Sequence, residues 1–297
     1  IVRIRVSNLL SYIYCRIWAS MSILTQGAVR VTQQKELPLG LVEDHLNLVF
    51  SVADGPATET FYGDIMGLRR IPNVELPGGR YMVRYHGGAT ELKFIVGAEA
   101  RAPLLSDPAS ARGIRALHLQ LPESRRQAIF SRIRKYGVAE PKAFDKPTQP
   151  TRYRLLDLEG NQLEIIFVVD EPTDPDLVRM QFGFGVSNLV ESGLFLERVL
   201  GMTASLTKDA SNQYFLGQSA INLWEVSSDR PALVGMPHEM RGMSLLQFVV
   251  HDIPKAREMI LARGGSIHTE PYDVGDLAVV MFIEGPDGIL IEFGAAL

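Results

Sequence analysis

The stretch LLDLEGNQLEIIF, residues 155–167, sets Glu164 inside an apolar run of Leu163, Ile165, Ile166 and Phe167. A carboxylate on a strand packed on both faces is costly unless it is paired or bound to a cation, so Glu164 needs a partner. Alternation along a strand sends successive side chains to opposite faces, and it sorts the neighbouring strands in the same way. One face is wholly apolar: Leu46, Leu48, Phe50 and Val52; Leu92, Phe94 and Val96; Leu117, Leu119 and Leu121; Leu163, Ile165 and Phe167. The other carries His45, Asn47 and Ser51; Glu91 and Lys93; His118 and Gln120; Gln162 and Glu164. Amide, carboxylate and imidazole groups gathered on one concave face suit proton transfer or a divalent ion with mixed N and O ligands. Taken singly, His118 also reads as a satisfied core histidine, and Glu164 as the ion-pair partner of Lys93 or Arg115.

The elements that must position these groups come from a duplication. GPDGILIEF near the end of the chain sets Glu292 as Glu164 is set, 128 residues later. The segments LNLVFSVADGPATETFYGDIMGL and FGFGVSNLVESGLFLERVLGM align Phe61 with Phe195, an offset of 134. Each half divides again into strand, helix and three strands, so four βαβββ modules are expected, an α+β chain of two domains with curved mixed sheets. The expected boundaries are a leader over 1–40, a first domain over 41–172 and a second over 177–297, with DEPTDPDL, 170–177, as the linker.

The totals bound the function. A chain of 297 residues with 46% hydrophobic residues can build packed cores. A net charge of -4 and a pI near 5.9 give no basic face for nucleic acid. The single cysteine, Cys15, excludes an internal disulfide and cysteine-based metal motifs. The first 29 residues carry arginines but no acid, as in a transit-like leader, an interrupted secretory signal or an upstream extension with Met21 as the start; an extension or a disordered leader is the favoured account. No later run is long and apolar enough to span a membrane, and a soluble cytoplasmic body is expected, organellar if the leader is a transit peptide.

FYGDIMGL, FLERVLGM, DLEGNQLEI and GPDGILIEF together resemble the vicinal oxygen chelate superfamily of glyoxalases, bleomycin-resistance proteins and extradiol dioxygenases, over roughly residues 43–297. The resemblance implies a tandem glyoxalase-like form. It implies a divalent metal (Zn, Ni, Fe, Mn or Co) on Asn47, Glu91, His118 and Glu164, with Glu164 or Glu91 as the catalytic base and His45, Lys93, Gln120 and Gln162 around the substrate. His45 or His86 stands ready to replace Asn47. The implied activity is a lyase or isomerase acting on a small substrate with vicinal oxygens through an enediolate. The alternatives are a ring-cleaving dioxygenase, for which the family positions supply one histidine where two are needed, and a non-catalytic binding protein. Ser51 stands where glutathione-dependent lyases carry an arginine; Arg112 and Arg115 are the neighbouring candidates to compensate, and glutathione is not the expected substrate. In the second half the matching positions are Gln181, Asn222, Leu245 and Glu292, with Gly183, Gly185 and Trp224 on the same face, a degenerate pocket with open space beside an aromatic wall. The expected partner is a small molecule, with no nucleic acid or membrane, in a monomer or homodimer.

Overall fold

The computed structural model describes residues 37–97, 110–144, 152–169, 179–206 and 212–297. The linker expected at 170–177 and residues 1–36 of the expected leader lie outside them. Residues 37–40 belong to the body rather than to a leader: Leu39 and Leu41 are buried, and the Gly40 carbonyl accepts the His251 amide.

The four βαβββ modules are present. The first holds β1 (Asn47–Val52), helix α1 (Gly55–Thr58, continued as a π-helix over Glu59–Ile65), β2 (Arg69–Leu76), β3 (Arg80–Gly87) and β4 (Thr90–Val96). The second holds β5 (Gly113–Pro122), α2 (Arg126–Lys135), β6 (Lys142–Phe144), β7 (Arg152–Leu156) and β8 (Gln162–Val168). The third holds β9 (Arg179–Val186), α3 (Leu189–Leu194, continued as a π-helix over Phe195–Val199), β10 (Thr203–Ala204), β11 (Gln213–Leu216) and β12 (Ser219–Glu225). The fourth holds β13 (Gly242–Val249), α4 (Ile253–Ala262), β14 (Ser266–Val274), β15 (Ala278–Glu284) and β16 (Leu290–Ala296). The two matched motifs FYGDIMGL and FLERVLGM are the ends of α1 and α3. Their glycines, Gly67 and Gly201, close the helices at φ 66° and 73°, a left-handed backbone that favours glycine.

The modules pair in an order that the chain does not announce. One eight-stranded sheet runs β14-β15-β16-β13-β1-β4-β3-β2, the first and fourth modules side by side; the other runs β10-β11-β12-β9-β5-β8-β7-β6, the second and third. The ranges 41–172 and 177–297 therefore each supply half of each sheet, and the expected division into two sequential domains is corrected. Pairing of β1 with β13 in antiparallel register, Asn47 opposite Gln247, takes the place of the expected partnership of the first two modules.

Every residue of the expected apolar face is buried, and these side chains join those of α1, α2, α3 and α4 in one core shared by both sheets. On the first sheet Phe94 stacks on Phe50 with ring centroids 4.5 Å apart and lies 4.4 Å from Tyr62 of α1. Burial of aromatic rings at this density is the main stabilising contribution on that side.

Two carboxylate clasps join the sheets. In the turn after β7, Asp157 accepts the Glu159 and Asn161 amides at 2.9 and 2.7 Å, the Asn161 side chain at 2.8 Å and the Tyr62 hydroxyl at 2.9 Å. Glu159 from the same turn accepts the amides of Ala53 and Asp54 at the start of α1, at 3.2 and 2.8 Å, and two N–H groups of Arg241 on one of its oxygens, at 2.7 and 2.6 Å. The repeat does the same with Asp287, which accepts the Ser187 amide just before α3 and pairs with Arg112. The acidic turns DLEGN and GPDG thus hold the architecture, with Arg112 and Arg241 as their matched counterions.

Candidate functional site

The expected ligand set is divided by the sheet order. Asn47 and Glu91 stand on β1 and β4 of the first sheet, His118 and Glu164 on β5 and β8 of the second. His45 and Lys93 go with the first pair, Gln120 and Gln162 with the second. Two partial sites result, each completed by the module from the other half of the chain.

On the second sheet Glu164 has its partner in Arg154, 3.0 Å away and directly across the β7–β8 hairpin, not Lys93 or Arg115. The His118 Nε2 lies 3.7 Å from Glu164, and burial lowers the pKa of this imidazole, so it is held neutral beside the carboxylate. The other two module positions are Gln181 and Asn222, joined by a 2.9 Å amide hydrogen bond, and Gln213 bonds both. The space expected beside Gly183 and Gly185 is filled. A Cβ on Gly183 would stand 2.6 Å from the Trp224 ring, so the glycines let the indole lie against the strand.

The first sheet carries a cavity of about 640 Å³, a size that suits a small organic ligand. Its walls are mostly apolar, with Met82, Ile95, Val249, Tyr272, Val280 and Phe282, and Lys93, Gln247 and Glu292 form its polar floor. Gln247 is opposite Asn47 across β1–β13 and level with Glu292 on β16, as His118 is level with Glu164. It, not Leu245, is the fourth module's counterpart of His118. Leu245 sits with Val49, Val280 and Phe282 in an apolar cluster.

Around this floor the polar groups are all connected. The Asn47 carbonyl accepts the Glu91 amide at 2.8 Å, and its NH2 donates to Gln247 at 3.4 Å. Lys93 donates to the Gln247 carbonyl oxygen and lies 3.3 Å from Glu91, which Arg84 approaches at 3.6 Å. The Gln247 NH2 donates to Glu292. Glu292 is partly exposed toward the cavity, and burial of its carboxyl raises the pKa against the opposing pull of Gln247 and Lys93.

His45 is taken by Glu43 at 2.8 Å. Ser51 donates its hydroxyl to the Pro237 carbonyl, and Met236, Pro237 and His238 form part of the cavity lining. Arg112 is spent on Asp287, so it supplies no cation to the Ser51 position. Gln247, Arg84 and Arg154 are the site residues that the sequence reading left out; Arg154 was in reach, since counting outward from the 157–161 turn puts it opposite Glu164.

Neither floor fits a divalent ion. Among the described residues no three His, Cys, Asp or Glu side chains gather to hold one. On the first sheet an ammonium already stands among the oxygen donors, and on the second a guanidinium pairs with the single carboxylate while the amides bond one another. The expected quartet of metal ligands is corrected on this ground.

Residues 180–293 match the family model of the glyoxalase/bleomycin resistance protein/dioxygenase superfamily. The fold is that of solved structures over nearly the whole chain. A putative dioxygenase from Bacillus subtilis superposes with a TM-score of 0.64 at 15% identity, covering 88% of this chain and 86% of that one. The family match covers residues 180–293, and over the rest of the chain the likeness is one of fold. Glyoxalase I from Zea mays superposes with a TM-score of 0.64 at 16% identity over 84% of this chain and 91% of its own. No match to a curated protein reaches significance. The two sheets fit a tandem form of that fold. Among the described residues no helix is long and apolar enough to cross a membrane.

Proposed function

We propose that this chain is a vicinal oxygen chelate protein that binds a small oxygenated organic molecule in the first-sheet cavity and moves a proton on the carbon next to its carbonyl. The observation that carries this reading is Glu292, a carboxyl raised in pKa by burial, on the floor of a mostly apolar cavity beside Lys93. The carboxylate takes the C–H proton of an α-hydroxycarbonyl compound, the electron pair passes to the carbonyl oxygen, and the Lys93 ammonium stabilises the enolate oxygen; the hydroxyl proton then passes to that oxygen, the carboxyl returns its proton to the former carbonyl carbon, and the former hydroxyl carbon becomes the carbonyl, which completes an isomerisation. A base whose pKa is raised toward the working pH is the better proton acceptor. Apolar walls such as Phe282 and Tyr272 would seat the body of the substrate.

The mostly apolar lining also favours a second reading, a binding module with no chemistry. Both readings place the ligand in this cavity, and Gly294→Leu tests that placement. A Cβ at Gly294 meets its neighbours only at ordinary distances, 3.5 Å from Gln247 and 3.6 Å from Glu292, so the backbone tolerates a side chain that projects into the cavity. The expected outcome, read by thermal shift and calorimetry with ligands found by screening small carbonyl and hydroxyl compounds, is a loss of affinity of about tenfold or more with the melting temperature of the free protein nearly unchanged. Unaltered affinity in that variant would move the ligand elsewhere. A ligand bound in the wild type with no proton exchange would leave the binding module as the reading.

A further inference from the structure

We infer that the Lys93 ammonium is the resident cation of the first-sheet floor, standing where a divalent ion would otherwise sit, and that its removal uncovers a site for a hard divalent cation. The inference concerns the cation alone and stands whether or not Glu292 moves a proton.

Three observations carry it. The oxygen donors converge from four strands of two modules: Glu91 of β4, Asn47 of β1, Gln247 of β13 and Glu292 of β16. Their hydrogen bonds are oriented around the amine. Gln247 turns its carbonyl oxygen to Lys93 and its NH2 to Glu292, and Lys93 lies 3.3 Å from Glu91, so one positive charge serves an amide oxygen and a carboxylate directly and lies near enough to Glu292 to favour its ionised form. The Lys93 side chain is only 12% exposed, so this charge is held in the floor rather than extended into water. Arg84 touches only Glu91, from the side, with the rest of its guanidinium on the Pro72 carbonyl.

Two carboxylates share one ammonium between them, with the Arg84 guanidinium beside Glu91. Take the ammonium away and the carboxylates must protonate or find another cation. The set left behind is all oxygen, two carboxylates and amide carbonyls, which suits Mn2+ or Mg2+ better than a soft ion. With the ammonium in place a divalent ion would meet like charge at the centre of its own site, which is why the wild type should be indifferent to metal.

The test uses the full chain and Mn2+ as the probe, by calorimetry and thermal shift, on wild type, Lys93→Met, Lys93→Gln, and each of these with Glu292→Gln added. Met keeps the length of the stem without charge, and Gln retains a donor for Gln247 should the Met variant fold poorly. The wild type is expected to show no saturable Mn2+ binding and no change of melting temperature with chelator. Lys93→Met or Lys93→Gln is expected to bind one Mn2+ per chain at least about tenfold more tightly than the wild type, to gain thermal stability from it, and to lose both effects with Glu292→Gln. Stoichiometric binding to the wild type that Glu292→Gln abolishes would overturn the inference, as would folded Lys93 variants that bind Mn2+ no better than the wild type. A variant that refolds only with Mn2+ supports it; variants that refold neither with nor without Mn2+, beside a wild type that binds it, overturn it.

Discussion

Asp157→Ala should cost about 3–5 kcal/mol of stability, because it strands four buried donors at once. Two backbone amides, the Asn161 side chain and the Tyr62 hydroxyl all end on this carboxylate, and Asp157, Asn161 and Tyr62 are buried. The loss would reach beyond the turn, since the same turn aims Glu159 at the start of α1 and at Arg241. Asp157→Asn should cost far less, about 1 kcal/mol at neutral pH. The Asn161 carbonyl oxygen is buried without a hydrogen-bond partner, so a flip of that amide supplies an acceptor to the new NH2, and the Tyr62 hydroxyl can turn from donor to acceptor. Burial pushes the Asp157 carboxyl up to about 6 despite the hydrogen bonds it accepts. A folded value above the unfolded one means that the stabilisation from protonating this group is complete below about pH 4 and is lost as pH rises through about 6. The wild type gains this term on acidification and the Asn variant does not, so the deficit of Asp157→Asn should widen between about pH 7.5 and pH 5. Denaturant unfolding at the two pH values measures it; a deficit that narrows would show that Asp157 is already ionised well below pH 5.

The module order and the buried face were legible because alternation needs only a strand's own residues: Leu46, Leu48, Phe50 and Val52 read as one face and are buried as one. Which module lies beside which was not. The first strands of the modules resemble one another, so β1 offers β5 and β13 equivalent partners, and the choice of β13 is made by contacts some 200 residues apart in the chain, Asn47 with Gln247 among them. Assigning Leu245 where Gln247 belongs is a slip of two residues, and a slip of two leaves every side chain on its proper face, so pattern alone cannot detect it. Glu164 did demand a partner, as an apolar strand requires. Its partner in the fold is the cross-strand Arg154, and the acids of the recurring turns, Glu159 and Asp287, are committed to joining modules.

Glu292→Gln should lower any proton transfer on a bound carbonyl compound by about 10²–10⁴, the usual contribution of a general base, while leaving the fold and ligand affinity close to wild type. Gln keeps the volume and can still hydrogen-bond Gln247, which at present donates to this carboxylate. Glu164→Gln acts on the other sheet. It removes the charge that Arg154 pairs with, and Arg154 is 44% exposed and can turn to water, so the effect on the first-sheet cavity should be nil.

These two variants make the decisive comparison. Exchange of hydrogen for deuterium at the carbon next to the carbonyl of an α-hydroxyketone, followed by NMR in D2O, should proceed on the wild type and on Glu164→Gln at similar rates and fall by about a hundredfold or more on Glu292→Gln. Exchange that survives Glu292→Gln but is lost in Glu164→Gln would contradict the account and put the chemistry on the second sheet, beside His118.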